Sequence, residues 1–134
     1  MFERKLDPHR LGHLGERRAE WFYRVRGFRI VERNARLRRG EIDLIVRRGG
    51  LLVIAEVKTR QTLAAGEGFE AVGREKRERL FALGDAWLAR SGEALQLRYD
   101  ILSLFWNGRR FVVRHFPDAF RPTADAERPW KWRG

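Results

Sequence analysis

The pentapeptide Leu-Leu-Val-Ile-Ala at residues 51–55 constrains this chain more than any other stretch. A short continuous apolar run of this kind reads as a strand buried on both faces, which belongs in the middle of a helix-covered sheet. The residues before it supply its neighbour. Glu41–Arg47 is a second apolar, β-branched run, and two glycines within Arg47–Gly50 suit a tight turn. The pair forms an antiparallel hairpin, and the rest of the chain must be arranged around it.

The flanking segments alternate between helical and extended patterns. From about 8 to 26, Leu11, Leu14, Phe22 and Val25 recur at helical spacing, and Gly27 stops the helix. Phe28–Arg33 alternates apolar and polar side chains, which predicts a strand, and Asn34–Arg39 reads as a basic connection. Residues 61–68 are expected to form a flexible loop. A second helix is predicted over about 70–90, with Val72, Lys76, Leu80, Leu83 and Trp87 along one row. Residues 95–106 and 109–116 then read as two strands around Asn107-Gly108, a strong hairpin signal. From Pro117 onward, prolines, scattered charges and the exposed-looking Trp130 and Trp132 suggest an irregular tail. The expectation is a single domain over 1–117 with a tail over 118–134. Its class is α/β, a mixed sheet flanked by helices in the order α-β-β-β-α-β-β.

Two of those strands carry acids where burial should be costly. Asp43 interrupts Ile-Asp-Leu-Ile-Val, and Glu56 and Lys58 sit in Ala-Glu-Val-Lys. A buried charge is expensive unless it is paired or binds a metal. Residues two apart on a strand share a face, so Glu56 and Lys58 point the same way, and Asp43 can come near Glu56 across the hairpin. Two converging carboxylates beside a lysine suit Mg²⁺, which takes hard oxygen ligands and few carboxylates. The simpler reading is a satisfied salt bridge between Glu56 and Lys58.

Two further features bear on that choice. Glu16 lies on the first helix among Gly12, Gly15 and Ala19, small residues that would let the helix approach the sheet closely. Lys76 sits on the apolar row of the second helix as if aimed at the sheet, with snorkelling to water as its alternative.

Composition narrows the partners. The chain has 29 Lys and Arg against 18 Asp and Glu, a net charge of +11, which favours a polyanion, chiefly nucleic acid. Only four of the basic residues are Lys, and Lys58 and Lys76 both fall in the patterns above. The absence of cysteine excludes disulfides, thiolate metal sites and cysteine nucleophiles. No apolar run approaches the roughly 20 residues of a membrane span, and the charged N-terminus lacks a secretory core, so a cytoplasmic protein is expected.

The motifs "GHLGERRAEWFYRVRGFRIVERNAR", "GEIDLIV", "VIAEVKTR", "EAVGREKRERL" and "RYDIL", in this order from about Gly12 to Ile101, resemble the bacterial YraN family. That family is similar to the PD-(D/E)xK nucleases, a group that includes Holliday-junction resolvases and restriction endonucleases. The resemblance implies a restriction-endonuclease-like fold. It also implies a site in which Asp43 and Glu56 hold Mg²⁺ or Mn²⁺, with the Val57 carbonyl as a further ligand. Lys58 would position the attacking water, and Glu16 would orient it or complete the metal shell. Arg36, Arg38, Arg39, Arg60 and Lys76 are the expected phosphate contacts. The expected activity is metal-dependent endonucleolytic cleavage of nucleic acid, in the first place DNA, possible substrates including branched DNA, and a homodimer would suit two-strand cleavage. The alternatives are a non-cleaving module for nucleic acid or ribosomal RNA, and an adaptor for an acidic protein.

Overall fold

The computed structural model describes residues 5–62 and 73–122. Most of the loop expected over 61–68, the start of the second helix at 70–72 and the end of the tail with Trp130 and Trp132 lie outside the described residues. The first helix, α1, spans Pro8–Arg24. Its start is built by Asp7, whose carboxylate accepts from the amides of His9 at 3.0 Å and Arg10 at 3.2 Å, with Pro8 in the first turn. Three strands follow, β1 (Arg29–Leu37), β2 (Gly40–Arg48) and β3 (Leu51–Arg60). Helix α2 (Arg74–Ser91) leads to β4 (Gln96–Trp106) and β5 (Phe111–Phe116).

The five strands form one sheet in the order β1-β2-β3-β4-β5. Only β3 and β4 pair in parallel; the other neighbours are antiparallel. A parallel pair needs a crossover, and the segment containing α2 provides it. This is the mixed sheet and the element order expected from the sequence.

The core has two layers, one on each side of the sheet. Ile45, Leu52 and Ile54 pack with Leu80 and Leu83 of α2. Leu44, Val46, Val53 and Ala55 pack with Ala19, Phe22 and Tyr23 of α1. Alternate residues of β3 thus enter opposite layers, as its continuous apolar run requires.

Three boundaries differ from expectation. The basic stretch expected as a connection over 34–39 is largely strand, since β1 runs to Leu37 and pairs as far as Leu37↔Gly40. An edge strand needs only backbone partners on its inner side, so its outward arginines do not oppose pairing. The second hairpin is wider than the Asn-Gly signal suggests, with Asn107–Arg110 between the strands. The Asn107 Oδ1 accepts from the amides of Arg109 at 2.9 Å and Arg110 at 3.0 Å, a side-chain capped loop. The packed chain also continues past the boundary expected at 117. Phe120 is buried against Tyr99 and Phe81, and the Ala119 amide donates to the Tyr99 carbonyl at 2.8 Å.

Candidate functional site

The pairing of β2 with β3 stops at Leu44↔Ala55, although β3 continues to Arg60. Extended by register, the next pairs would join Asp43 to Glu56 and Ile42 to Val57. The strands part here instead, and the Asp43 Oδ2 accepts the Val57 amide hydrogen at 2.9 Å, replacing a backbone acceptor with a carboxylate. The sequence carries an acid at this position because the fork uses its side chain.

Glu56 is next to the fork and almost fully buried. It points to the α2 side of the sheet, in step with Ile54. Lys76 of α2 is ion-paired to its Oε2, and the Lys58 Nζ lies 3.6 Å from the same oxygen. Lys76 therefore does more than snorkel to water. Its place on the apolar row of α2, one turn before Leu80, aims it at the sheet.

The electrostatics follow from crowding. Burial, then a hydrogen bond and charge from Glu56, push the Asp43 carboxyl up to about 8. Burial would also raise Glu56, but hydrogen bonds with Asp43 and Lys76 and the charges of both lysines outweigh it and hold Glu56 below its ordinary value. Asp43 therefore holds its proton more firmly than Glu56 does. Burial and the neighbouring Lys76 lower Lys58. Burial opposes the charge on Lys76 too, yet its contacts with Glu56 and Lys58 raise it. Glu56 thus has one firmly cationic partner and one that yields its proton more readily.

Two hollows open on either side of the fork, and Asp43 and Val57 line both. On the α2 side a hollow of about 370 Å³ is lined by Glu56, Lys58, Lys76, Arg39 and Arg79. On the α1 side a hollow of about 220 Å³ is lined by Glu16, Glu20, Arg33, Asn34 and Thr59. Glu16 accepts from the Asn34 Nδ2 at 3.2 Å, and Asn34 takes a positive φ of 47° opposite the fork. The structure thus brings Asp43, Glu56, Lys58 and Lys76 together, but puts Glu16 beside Asp43 on the other side of the sheet from Glu56. Of the other expected phosphate contacts, Arg39 lines the α2-side hollow and Arg38 is exposed at the β1–β2 turn. Arg36 lies 3.7 Å from Glu41, and Arg60 ends β3.

The donor set suits a hard divalent cation in kind. A carboxyl that holds its proton beside a carboxylate can exchange it for a metal, and Mg²⁺ commonly takes only one or two carboxylates and keeps its waters. Among the described residues no group of three acids or imidazoles stands close enough to form a larger cluster.

Residue reasoning passed over Arg79 and Asn34, which line the hollows, and the Glu20–Arg33 pair. Arg33 donates to both oxygens of Glu20 at 2.8 and 2.9 Å, closing the floor of the α1-side hollow. Nothing in the local pattern marks these residues. Asp100 was legible by the same signal as Asp43, an acid leading an apolar strand run. It is fully buried, and it accepts from the Tyr23 hydroxyl at 2.9 Å, from Arg98, and from the Asp118 amide at 3.0 Å, with His115 Nε2 at 2.9 Å.

Fold and site together define a small α/β protein whose mixed sheet holds an acid–lysine cluster where two central strands part. The chain belongs to the uncharacterised protein family UPF0102, the YraN family, whose model matches residues 15–104 and so spans the whole cluster. It is 40% identical over 111 residues to a UPF0102 protein of Anaeromyxobacter dehalogenans, covering 82% of this chain and 83% of that one. A UPF0102 protein of Rhizobium meliloti is 41% identical over 120 residues (87% and 93%), and one from Symbiobacterium thermophilum is 45% identical over 96 (71% and 81%). Among the described residues no helix is long and apolar enough to cross a membrane.

Proposed function

We propose that this protein is a metal-dependent phosphodiesterase that hydrolyses nucleic acid at the fork between β2 and β3. One observation carries the reading: Asp43 and the buried Glu56 line one hollow where β2 leaves β3, with two lysines on one oxygen of Glu56. That geometry, the resemblance to PD-(D/E)xK nucleases and the net charge of +11 point to the same chemistry. Asp43, Glu56 and the Val57 carbonyl would hold Mg²⁺ or Mn²⁺, which when bound supplies Lewis acidity towards a phosphate oxygen and a more acidic water. Lys58, half-buried and with its pKa lowered, positions the attacking water and takes up charge at the phosphate. Lys76 holds the Glu56 carboxylate in place. Arg39 and Arg79, which line the same hollow, neutralise the nucleic-acid backbone. Glu16 reaches the set only through the hollow it shares with Asp43, so its loss should matter less than that of Glu56.

A non-cleaving nucleic-acid module is the second reading. The Lys76–Glu56 ion pair favours it, because that ammonium occupies an oxygen a cation would use.

The test is a panel of labelled substrates with Mg²⁺, Mn²⁺ or EDTA: a four-way junction, a flap, linear duplex, single-stranded DNA and structured RNA. Metal-dependent cuts that disappear in both Glu56→Gln and Lys58→Ala are expected, with at least a hundredfold loss in each. Cuts that persist in both variants, or binding without cuts, would remove the catalytic claim.

A further inference from the structure

We propose that a second groove, on the opposite flank of α1 from the Glu16 hollow, holds a single-stranded segment of nucleic acid. This rests on the nucleic-acid reading above and assigns it a binding surface away from the fork. The groove, about 790 Å³, has Trp106, Phe111 and Val112 of the β4–β5 hairpin on one side and Leu14, Arg17 and Arg18 of α1 on the other, with Arg110 at its end. The rings of Trp106 and Phe111 meet edge to face, 5.2 Å between centroids, on paired positions of the two strands. On α1, Leu14, Arg17 and Arg18 share a stripe with Trp21, which is 59% exposed, one turn further on. Val112 is 45% exposed at the groove's edge.

The charge pattern identifies the occupant. No acid lines this groove, whereas acids line both hollows at the fork. Several arginines elsewhere are neutralised by carboxylates, among them Arg33 by Glu20, Arg74 by Glu78 and Arg98 by Asp100. Among the described residues Arg17, Arg18 and Arg110 have none. A floor of aromatic rings rimmed by three unneutralised guanidiniums suits a chain that offers flat π-faces and phosphates together. Single-stranded nucleic acid does so; in a duplex the bases are already stacked on each other. The groove also lies at the catalytic end of the sheet. Arg60 pairs with Phe105, so Trp106 stands one residue beyond the end of β3, roughly 17 Å along the strand direction from the level of Glu56. The groove is on the α1 face, as is the Glu16–Asp43 hollow, whereas Glu56 and Lys58 stand on the α2 face.

The experiment measures binding in EDTA of a fluorescein-labelled oligo-dT and of a blunt duplex of equal length. It compares the wild-type chain, Arg17→Ala/Arg110→Ala and Trp106→Leu across a salt series. Both arginines are exposed, so the double variant should fold whether or not the leucine variant does. The double variant is expected to bind oligo-dT at least fivefold more weakly, with a salt slope shallower by about 1.4 for two lost phosphate contacts. Trp106→Leu is expected to lose about fivefold or more on oligo-dT and less than about twofold on duplex. Wild-type binding of oligo-dT that the arginine pair leaves unchanged would overturn the groove and leave the nucleic-acid reading standing. If the wild-type chain binds no nucleic acid, both fall. If polyglutamate displaces oligo-dT as well as unlabelled oligo-dT does, the groove is a site for an acidic protein, and the proposal is overturned.

Discussion

At Asp43 one carboxylate oxygen accepts the Val57 amide hydrogen, and burial beside Glu56 pushes the carboxyl up to about 8. Folding therefore raises the affinity of Asp43 for its proton. A group raised in this way stabilises the native state fully below its unfolded value near 4, and the contribution is lost as pH rises through about 8. An asparagine here can still accept from Val57 and donate to Glu56 without a titrating proton. Asp43→Asn should therefore gain stability relative to the wild-type chain between pH 5 and pH 9, by about 1 kcal/mol or more, as urea unfolding at several pH values would show. An unchanged difference across that range would mean that Asp43 is ionised in the native state. Added Mg²⁺ should narrow the gap at pH 8 by stabilising the wild-type chain alone.

The approach of α1 to the sheet is decided at Gly15. A Cβ there would meet the Oγ1 of Thr59 at 2.5 Å and its Cγ2 at 2.7 Å, so the helix rests directly on the end of β3. Gly12 faces open space and has no such role. This seat fixes how far Glu16 stands from the fork. Gly15→Ala should cost about 1–3 kcal/mol by overpacking, despite the better helix propensity of alanine. Pairing it with Thr59→Ala should recover most of that loss. Thermal unfolding of the two single variants and the double variant would measure the coupling, and strictly additive losses would mean that the contact does not set the spacing. Small residues on α1 marked a close approach in the sequence, but which glycine made it, and against what, depended on the rotation of the helix over the sheet.

For the molecule as a whole, Asp100 is the tie between distant segments. One buried carboxylate joins Tyr23 of α1, Arg98 of its own strand, His115 of β5 and the chain at Asp118. Burial would raise its pKa, but the hydrogen bonds from His115, Arg98 and the Asp118 amide hold it below the ordinary range. The sign is opposite to that of Asp43: its contribution is present above the unfolded value near 4 and is lost as pH falls through the lower folded value. Asp100→Asn should cost about 3 kcal/mol at pH 7, because it removes the buried charge that pairs with the partly exposed Arg98, and should flatten the acid limb of the stability curve below pH 4. Equal acid midpoints for variant and wild-type chain would assign acid unfolding to other carboxylates.

The sequence by itself determined the sheet's centre, the element order and the identities of Asp43, Glu56 and Lys58, because strand periodicity and the cost of burying acids are local and leave a pattern along the chain. Lys76 was legible for a related reason: a charge on an apolar helical row must point at something. Only the tertiary structure decided where β2 leaves β3, that Lys76 meets Glu56, and that Glu16 stands across the sheet from it. The strand character of Asn34–Leu37, the packing of Phe120 and the convergence on Asp100 were equally hidden. These depend on which distant surfaces meet, and that is set by the joint packing of two helices on one twisted sheet, which no short window of residues contains.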